Sequence, residues 1–350
     1  MSFDERYFAR QVVLEGFGSR AQARLAESSV LIAGLGGTGS VMAVTMALAG
    51  VSEISLVDRD IVSLENLHRQ PIYELSDVGK SKAEVAAGFI AARVPGVKLR
   101  YRAESIGEPN SARILGTSNL ALDCLDNMTA RLALNSACVK REIPLVHTGS
   151  LGWEASEAVF WSPRTACLEC LFPRSPKGSD SADWEALPTC EQVGTLGAIT
   201  GLVASLGAVD AIRLLIGEQP ASLGKMLVWD GRRSESHLVD LERRADCEAC
   251  GRGASRRGRS PRDRPKGAEG SLIELCGGRE FYIQGAFSAR SFARLARELR
   301  GRSTKRGDSI IQTRVGEAEV SIFKSGALIV KGVSSAEDAR GVAKALGMTM

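Results

Sequence analysis

The chain reads as an α/β protein, a mostly parallel sheet with helices on both faces, followed by a smaller α+β unit. Three observations carry that expectation. The stretch VLIAGLGGTGS, Val30 to Ser40, runs apolar residues into three glycines and then an alanine-rich segment, the order of a buried strand, a tight turn and a helix. Apolar runs and helical stretches then alternate to about residue 148, as in βαβ units. Two CxxC pairs, Cys167/Cys170 and Cys247/Cys250, bracket a later, strand-rich region.

Composition sets the limits. At 350 residues the chain can hold one large domain and a small one. Its net charge of +4 is concentrated between Arg252 and Gly270, where seven Arg or Lys face two acids, so the remainder is near −1. Nucleic acid is therefore not an indicated partner of the folded body. The opening MSFDERYFARQ lacks the apolar core of a signal peptide, and eight cysteines without export point to reduced thiols in the cytoplasm. The run Leu196 to Ile216 is the most apolar, but it carries Asp210 and Arg213, so a packed internal helix is expected rather than a membrane span.

Taken in order, residues 5–27 lack Pro and read as a helix that carries Arg6, Arg10 and Gln11; Arg10 is long enough to reach an anion. The glycines Gly34, Gly36 and Gly39 give the following turn a Rossmann-like form, where unpaired N–H groups at the helix start face a phosphate. Dehydrogenases use the same device, so the turn alone leaves a nicotinamide dinucleotide open. The strand Glu53 to Asp58 ends in an acid 22 residues beyond Gly36, placed to accept the hydroxyls of a ribose; Asp60 is the lesser candidate. Ser63 to Pro71 then gathers Asn66, His68, Arg69 and Gln70, groups suited to orienting phosphate. A helix opened by Asp77 would hold Lys80 and Lys82 in its first turn, where the dipole disfavours cations and a polyphosphate would explain them. The run Asn119 to Asn127 reads as a strand, with Asp123 inside it. Its closing acid, Asp126, shares the carboxyl edge with Asp58 and suits Mg²⁺ held mainly by phosphate oxygens. A helix from Thr129 to Arg141 and a strand from Pro144 to Thr148 complete the alternation.

Paired CxxC knuckles present four thiolates, the usual closed structural zinc site; with 76 residues between them, the metal would clip a domain. Arg174 to Pro188, rich in Ser, Pro, Gly and Asp, reads as a loop, and Cys190 beside it is a candidate nucleophile. Cys124, Cys138 and Cys276 sit in apolar runs and are expected in the core. Strands are expected at 225–231 and 236–241. Residues 252–270 read as a basic flexible linker between a large zinc-clipped domain over 1–251 and a small α+β domain over 271–350. In the latter, LIEL, EFYI, AEVSIF and ALIVK read as strands, with helical stripes at Phe292–Leu299 and Ala339–Leu346, and no catalytic constellation, which suggests a docking module.

Set side by side, RYFARQ, GLGGTGS, AGVSEISLVDRD, ENLHRQ, GKSKAE, LDCLDN, CLEC, PTCEQVG and CEACG stand in the order found in the MoeB/ThiF/HesA family, relatives of ubiquitin-activating enzymes, which residues 1 to about 251 resemble. The resemblance implies a homodimer that uses ATP and Mg²⁺ to adenylate the C-terminal glycine of a ubiquitin-fold protein ending in Gly-Gly. It places Gly37, Asp58, Asn66, Arg69, Lys82, Asp126 and Asn127 around ATP, Arg10 at the partner subunit's nucleotide, and Zn²⁺ on the four knuckle cysteines. Cys190 matches the position that in some members captures the activated protein. Glu65 stands where serine is common, and Thr38 where leucine is common. No rhodanese-type segment follows, so a separate sulfur donor or a conjugating enzyme is the implied downstream partner. The rival readings are sulfur transfer for molybdopterin, thiamine or tRNA thiolation, a tRNA-modifying relative, a scaffold with a degenerate site, and a nicotinamide-dependent oxidoreductase.

Overall fold

The computed structural model describes residues 6–173, 190–251, 271–274, 280–284, 289–299, 303–306, 310–324 and 326–347. The expected linker, the Arg174–Pro188 loop and Cys276 lie outside them, as does the side chain of Cys190. The N-terminal helix expected over 5–27 is divided into α1 (Ala9–Val12) and α2 (Gly18–Ala26). Gly16 and Gly18 take φ of +79° and +66° at the break, a left-handed backbone that no helix continues through.

The apolar run before the glycines is β1 (Ser29–Ala33), the alanine-rich run after them is α3 (Gly37–Ala49), and β2 (Glu53–Val57) returns alongside β1. The next helix, α4 (Lys82–Ala91), starts five residues later than Asp77. Asp77 instead closes a short 3-10 turn, Leu75–Asp77, and Ser81 caps α4 by accepting the Glu84 N–H at 3.5 Å. β3 (Lys98–Arg102) reads KLRYR, its Leu99 and Tyr101 alternating with basic residues, and is the largely exposed edge strand of the sheet. α5 (Ser111–Leu115) precedes β4 (Leu120–Asp123), which stops three residues before Asp126. α6 (Met128–Arg141), β5 (Leu145–Leu151) and β6 (Glu154–Phe160) follow, then α7 (Leu168–Leu171), α8 (Cys190–Val193) and α9 (Gly197–Ile216), and finally β7 (Lys225–Asp230) and β8 (Glu235–Asp240).

These strands form one eight-stranded sheet in the order β3-β2-β1-β4-β5-β6-β7-β8. The first five run parallel and the last three antiparallel. Alternation along β1 divides the core: Val30 and Ile32 pack with α3, α4 and α9, whereas Leu31 and Ala33 pack with α5 and α6. The apolar run from Leu196 is thus an internal helix whose Asp210 accepts the Ser222 hydroxyl. Cys124 and Cys138 are core residues, as expected.

The C-terminal unit holds β9 (Ser271–Glu274), β10 (Glu280–Gln284), α10 (Ala289–Glu298), β11 (Ser303–Arg306), β12 (Ile310–Val315), β13 (Ala318–Phe323), β14 (Leu328–Lys331) and α11 (Ala336–Ala345). Its antiparallel sheet runs β11-β12-β13-β14-β10-β9. Two of these strands, β11 and β12, go beyond what the sequence pattern predicts. The α+β class holds.

Candidate active site at the carboxyl edge of the sheet

The glycine turn links β1 to α3, and its glycines have different duties. A Cβ on Gly34 (φ +87°) would come within 2.4 Å of the Cys124 carbonyl oxygen, and one on Gly39 would lie 1.9 Å from the Gly34 carbonyl oxygen. Both keep the turn closed against its own backbone. Gly37 has Thr200 of α9 against it, 2.9 Å from where a Cβ would stand. Gly36 is the open one: its nearest neighbour would be Gln70 Nε2 at 3.8 Å. Gly36 is also the N-cap of α3, and no side chain caps that helix among the described residues. The first-turn N–H groups of a 13-residue helix are thereby left for an anion. Beside them Gln70 is 2% exposed, and its Oε1 has no hydrogen-bond partner among the described residues. A buried orphan acceptor at this place fits a bound nucleotide.

Around the turn lies a compact set of charges. Asp58 accepts the Leu35 N–H at 2.6 Å with one oxygen and the Asp60 N–H at 2.7 Å with the other. Burial, with the charge of Asp60 beside it, pushes its carboxyl up to about 6. Lys82, the first residue of α4, is 5% exposed and donates to Asp60 Oδ2 at 3.1 Å. Burial alone would raise Asp60 and lower Lys82; their mutual attraction prevails, taking Asp60 down to about 2 and Lys82 above its ordinary value. Arg59, after β2, spans across the end of β1 to the loop after β4, its guanidinium 3.6 Å from Asp60 and 3.7 Å from Asp126. Asp126 is exposed, with Asn127 Nδ2 donating to it at 3.0 Å, while the Asn127 side-chain oxygen caps α6 through the Ala130 N–H at 2.9 Å. The loop carrying Asp126 is held from below by buried Asp123, which takes His147 Nδ1 at 2.8 Å and Arg131 at 3.1 Å; Arg131 also reaches the Leu125 carbonyl.

The structure thus brings Gly36, Asp58, Lys82 and Asp126 to one sheet edge, as the strand ends predict. Asn66 is buried in the 3-10 turn Leu64–Asn66, and Arg69, half-buried, donates to the Glu65 carbonyl at 2.9 Å. Lys80 takes the bland role: it is solvated and paired with Asp77 at 2.8 Å. Two groups go beyond what the strand ends predict. Asp60, ranked below Asp58, is the partner of Lys82, and Arg59 is a further member of the set; both follow Asp58 directly, and the pattern DRD is their signal.

The four knuckle cysteines converge. Their sulfurs all lie within 4.8 Å of one another, with Cys170–Cys250 at 3.4 Å, Cys167–Cys247 at 3.7 Å and Cys167–Cys170 at 3.9 Å. Zn–S bonds of about 2.3 Å place tetrahedral sulfurs about 3.8 Å apart, so the site fits zinc. Asn135 of α6 orients the first knuckle by accepting the Leu168 N–H at 3.0 Å.

Comparison with known proteins decides the family. The ThiF family pattern matches residues 8–249. The chain belongs to the ThiF family. Among curated relatives, the adenylyltransferase and sulfurtransferase MOCS3 of Caenorhabditis briggsae is 33% identical over 250 residues, covering 71% of this chain and 61% of its own. That of Drosophila willistoni is 34% identical over 246 residues, covering 69% and 52%. The chain therefore spans about half to three-fifths of the length of these relatives. Among solved structures, E. coli MccB with ATP superposes at a TM-score of 0.61 with 22% identity, over 71% of this chain and 75% of that one. MccB with MccA-N7isoASN gives 0.62 and 23%, with the same coverage. These likenesses establish a shared ThiF fold.

Within this ThiF chain, Arg10 does not join the charge cluster. Its neighbour Gln11 donates to the Ala49 carbonyl at 2.9 Å, at the C-terminal end of α3, whereas the glycine turn is at the other end, about 20 Å away for a 13-residue helix. Arg10 is exposed there. Cys190 opens α8, and its side chain lies outside the described residues.

Proposed function

We propose that this ThiF protein uses ATP to adenylate the C-terminal glycine of a small ubiquitin-fold or sulfur-carrier protein. The observation that carries the reading is the charge set Asp58, Arg59, Asp60, Lys82 and Asp126 beside the uncapped start of α3, in a family whose named relatives include adenylyltransferases. Gly36 and Gly37 would seat the phosphates, Asp58 with Asn66 the ribose side, and Arg69 with Lys82 the triphosphate. Asp126 fits Mg²⁺, which usually takes one or two protein carboxylates and phosphate oxygens, and which would supply charge stabilisation when bound. Asn127 acts through its hydrogen bond to Asp126.

In the reaction a carboxylate oxygen of the terminal glycine attacks the α-phosphorus. An O–P bond forms to give the acyl-adenylate, the bond to the β-phosphate oxygen breaks, and pyrophosphate leaves with the electron pair. The cations offset charge that grows on the leaving oxygens. Arg10 would act on the partner subunit's site, which requires a homodimer. A nucleophilic sulfur, either Cys190 or an external donor, would then take the acyl group and release AMP. Capture on Cys190 leads toward a conjugating enzyme; an external donor leads toward sulfur transfer, the reading favoured by the sulfurtransferase half of the relatives' name. The zinc thiolates and unpaired core thiols suit the cytoplasm. We divide the chain into 1–251, 252–270 and 271–350, the first carrying adenylation.

The test is ATP–pyrophosphate exchange in the presence of a ubiquitin-fold protein ending in Gly-Gly. Exchange that depends on that protein supports the reading; no exchange with any such protein from the same genome overturns it. Cys190→Ala should leave exchange intact, and a reducible adduct that survives the substitution would remove the role given to Cys190.

A further inference from the structure

The C-terminal sheet has two buried faces and, among the described residues, helices of its own unit on only one. Phe281, Ile283, Val320, Ile322, Leu328 and Val330 point toward α10 and α11. The alternate residues Tyr282, Phe323, Ala327 and Ile329 are also buried, 0 to 2% exposed, although neither of those helices covers them. What packs there is Ile61 and Ala103 of the ThiF domain. Tyr282 fixes the contact: its phenol oxygen accepts the N–H of Ser105, itself buried, at 3.1 Å.

The place of docking matters. Ile61 follows Asp60 directly and bridges to Ser81, the residue before Lys82. Along β14 the period of two puts Lys331 on the same face as Ala327 and Ile329, so its ammonium is carried to this edge of the nucleotide site. It is half-buried, and its charge adds to the Ser63 hydrogen bond that mainly lowers the Glu65 carboxyl and to Lys82 and Arg59, which mainly lower Asp60 against the effect of burial. Glu65 is exposed and lies in the short turn that supplies Asn66 and leads to Arg69.

We propose that the C-terminal domain forms one wall of the nucleotide site in cis, with Tyr282 anchoring it beneath Ala103 and Ser105, and with Lys331 as the positioning residue through which it acts on the triphosphate-binding edge at Asp60 and Glu65. Lys331 offsets the charge that Glu65 adds beside the phosphates. Removing that ammonium leaves two carboxylates facing the incoming anion with one cation fewer, and ATP affinity falls while chemistry at saturating ATP does not.

This inference rests on the adenylation reading, and the experiment separates the two. ATP binding to the full-length chain is measured by calorimetry at low salt for the wild type, Lys331→Met, Lys331→Arg and Lys331→Met combined with Glu65→Gln, alongside exchange kinetics. We expect Lys331→Met to raise the ATP dissociation constant about 5- to 20-fold, with kcat within about 2-fold. Lys331→Arg should stay within about 2-fold of wild type, and Glu65→Gln should recover most of the loss in the double variant. Lys331→Met with unchanged ATP affinity, or an equal loss in Lys331→Arg, overturns the inference while leaving adenylation standing. A wild-type chain that binds no ATP overturns the adenylation reading, and this inference with it.

Discussion

Lys82→Met tests the centre of the charge set, because methionine keeps most of the buried stem of Lys82 and removes only the ammonium. In the wild type that ammonium lies 3.1 Å from Asp60 Oδ2, and Asp60 sits at about 2 rather than 3.8. The depression corresponds to about 2 kcal/mol of stability, reduced to about 1–2 kcal/mol because the Asp60 side chain is one-third exposed. The sign follows from linkage: a carboxyl with a depressed folded-state pKa stabilises the fold above its unfolded value of 3.8, and that stabilisation is lost as pH falls through about 2. Asp58 acts oppositely. Raised to about 6, it favours folding below 3.8 and loses that contribution as pH rises through 6, and without Lys82 it rises further. Denaturant unfolding should therefore show Lys82→Met destabilised by about 1–3 kcal/mol at pH 8 and by much less near pH 2, where Asp60 is losing its charge in the wild type as well. In ATP–pyrophosphate exchange the variant should lose at least about 100-fold in kcat/KM. Equal destabilisation at pH 2 and pH 8 would show that Lys82 acts by packing; full exchange activity would remove it from the site.

Three other outcomes follow from named groups. Glu157, 2% exposed and held near about 8 by burial and by Asp210, binds its proton more tightly folded than unfolded; its stabilisation is complete below 4.5 and lost as pH rises through 8. Glu157→Gln should thus flatten the fall in melting temperature between pH 6 and 9 and be more stable than wild type at pH 9, by about 2–4 kcal/mol; parallel pH curves would refute this. Cys167→Ser should drop zinc, read by elemental analysis, from about one per chain to near zero and lower the melting temperature, whereas undiminished zinc would place the metal elsewhere. If Arg10 serves the partner's site, refolding Arg10→Ala together with Lys82→Met at equal amounts should restore about one quarter of wild-type exchange, since random pairing leaves one intact site in each mixed dimer. No recovery on mixing would assign Arg10 to its own chain or to no site.

Much of this site is written locally. Gly34 and Gly39 declare the turn because no other residue fits where a Cβ would meet backbone at 2.4 or 1.9 Å. Strand ends place Asp58 and Asp126 on one edge, and two CxxC pairs declare four converging sulfurs. What stays hidden depends on distant partners. Nothing near Asp60 says that it, rather than a phosphate alone, explains the buried Lys82, because the two are 22 residues apart and meet only through the pairing of Ile61 with Ser81. β3 leaves only a faint mark in the sequence, because its exposed edge position makes three of its five residues basic and leaves just Leu99 and Tyr101 to show the alternation. The docking of the C-terminal sheet is illegible for a related reason. Tyr282, Phe323 and Ile329 read as ordinary strand residues, and only the fold shows that the ThiF domain, rather than a helix of their own unit, covers their face.

The charges at the carboxyl edge are already matched before any nucleotide arrives. Lys82 is held by Asp60, and Arg59 is shared between Asp60 and Asp126, so a triphosphate does not enter an uncompensated positive pocket. To gain these cations it must loosen them from carboxylates, which would then be left short of a partner in a poorly solvated site. On the proposed reading Asp126 would hold Mg²⁺, a counter-charge that would leave the Arg59 guanidinium available to the phosphates. Metal and triphosphate should therefore bind as a pair, each offsetting the charge that the other displaces. Asp60 contacts both Lys82 and Arg59, which is why the acid that ranks second in the sequence holds the site together.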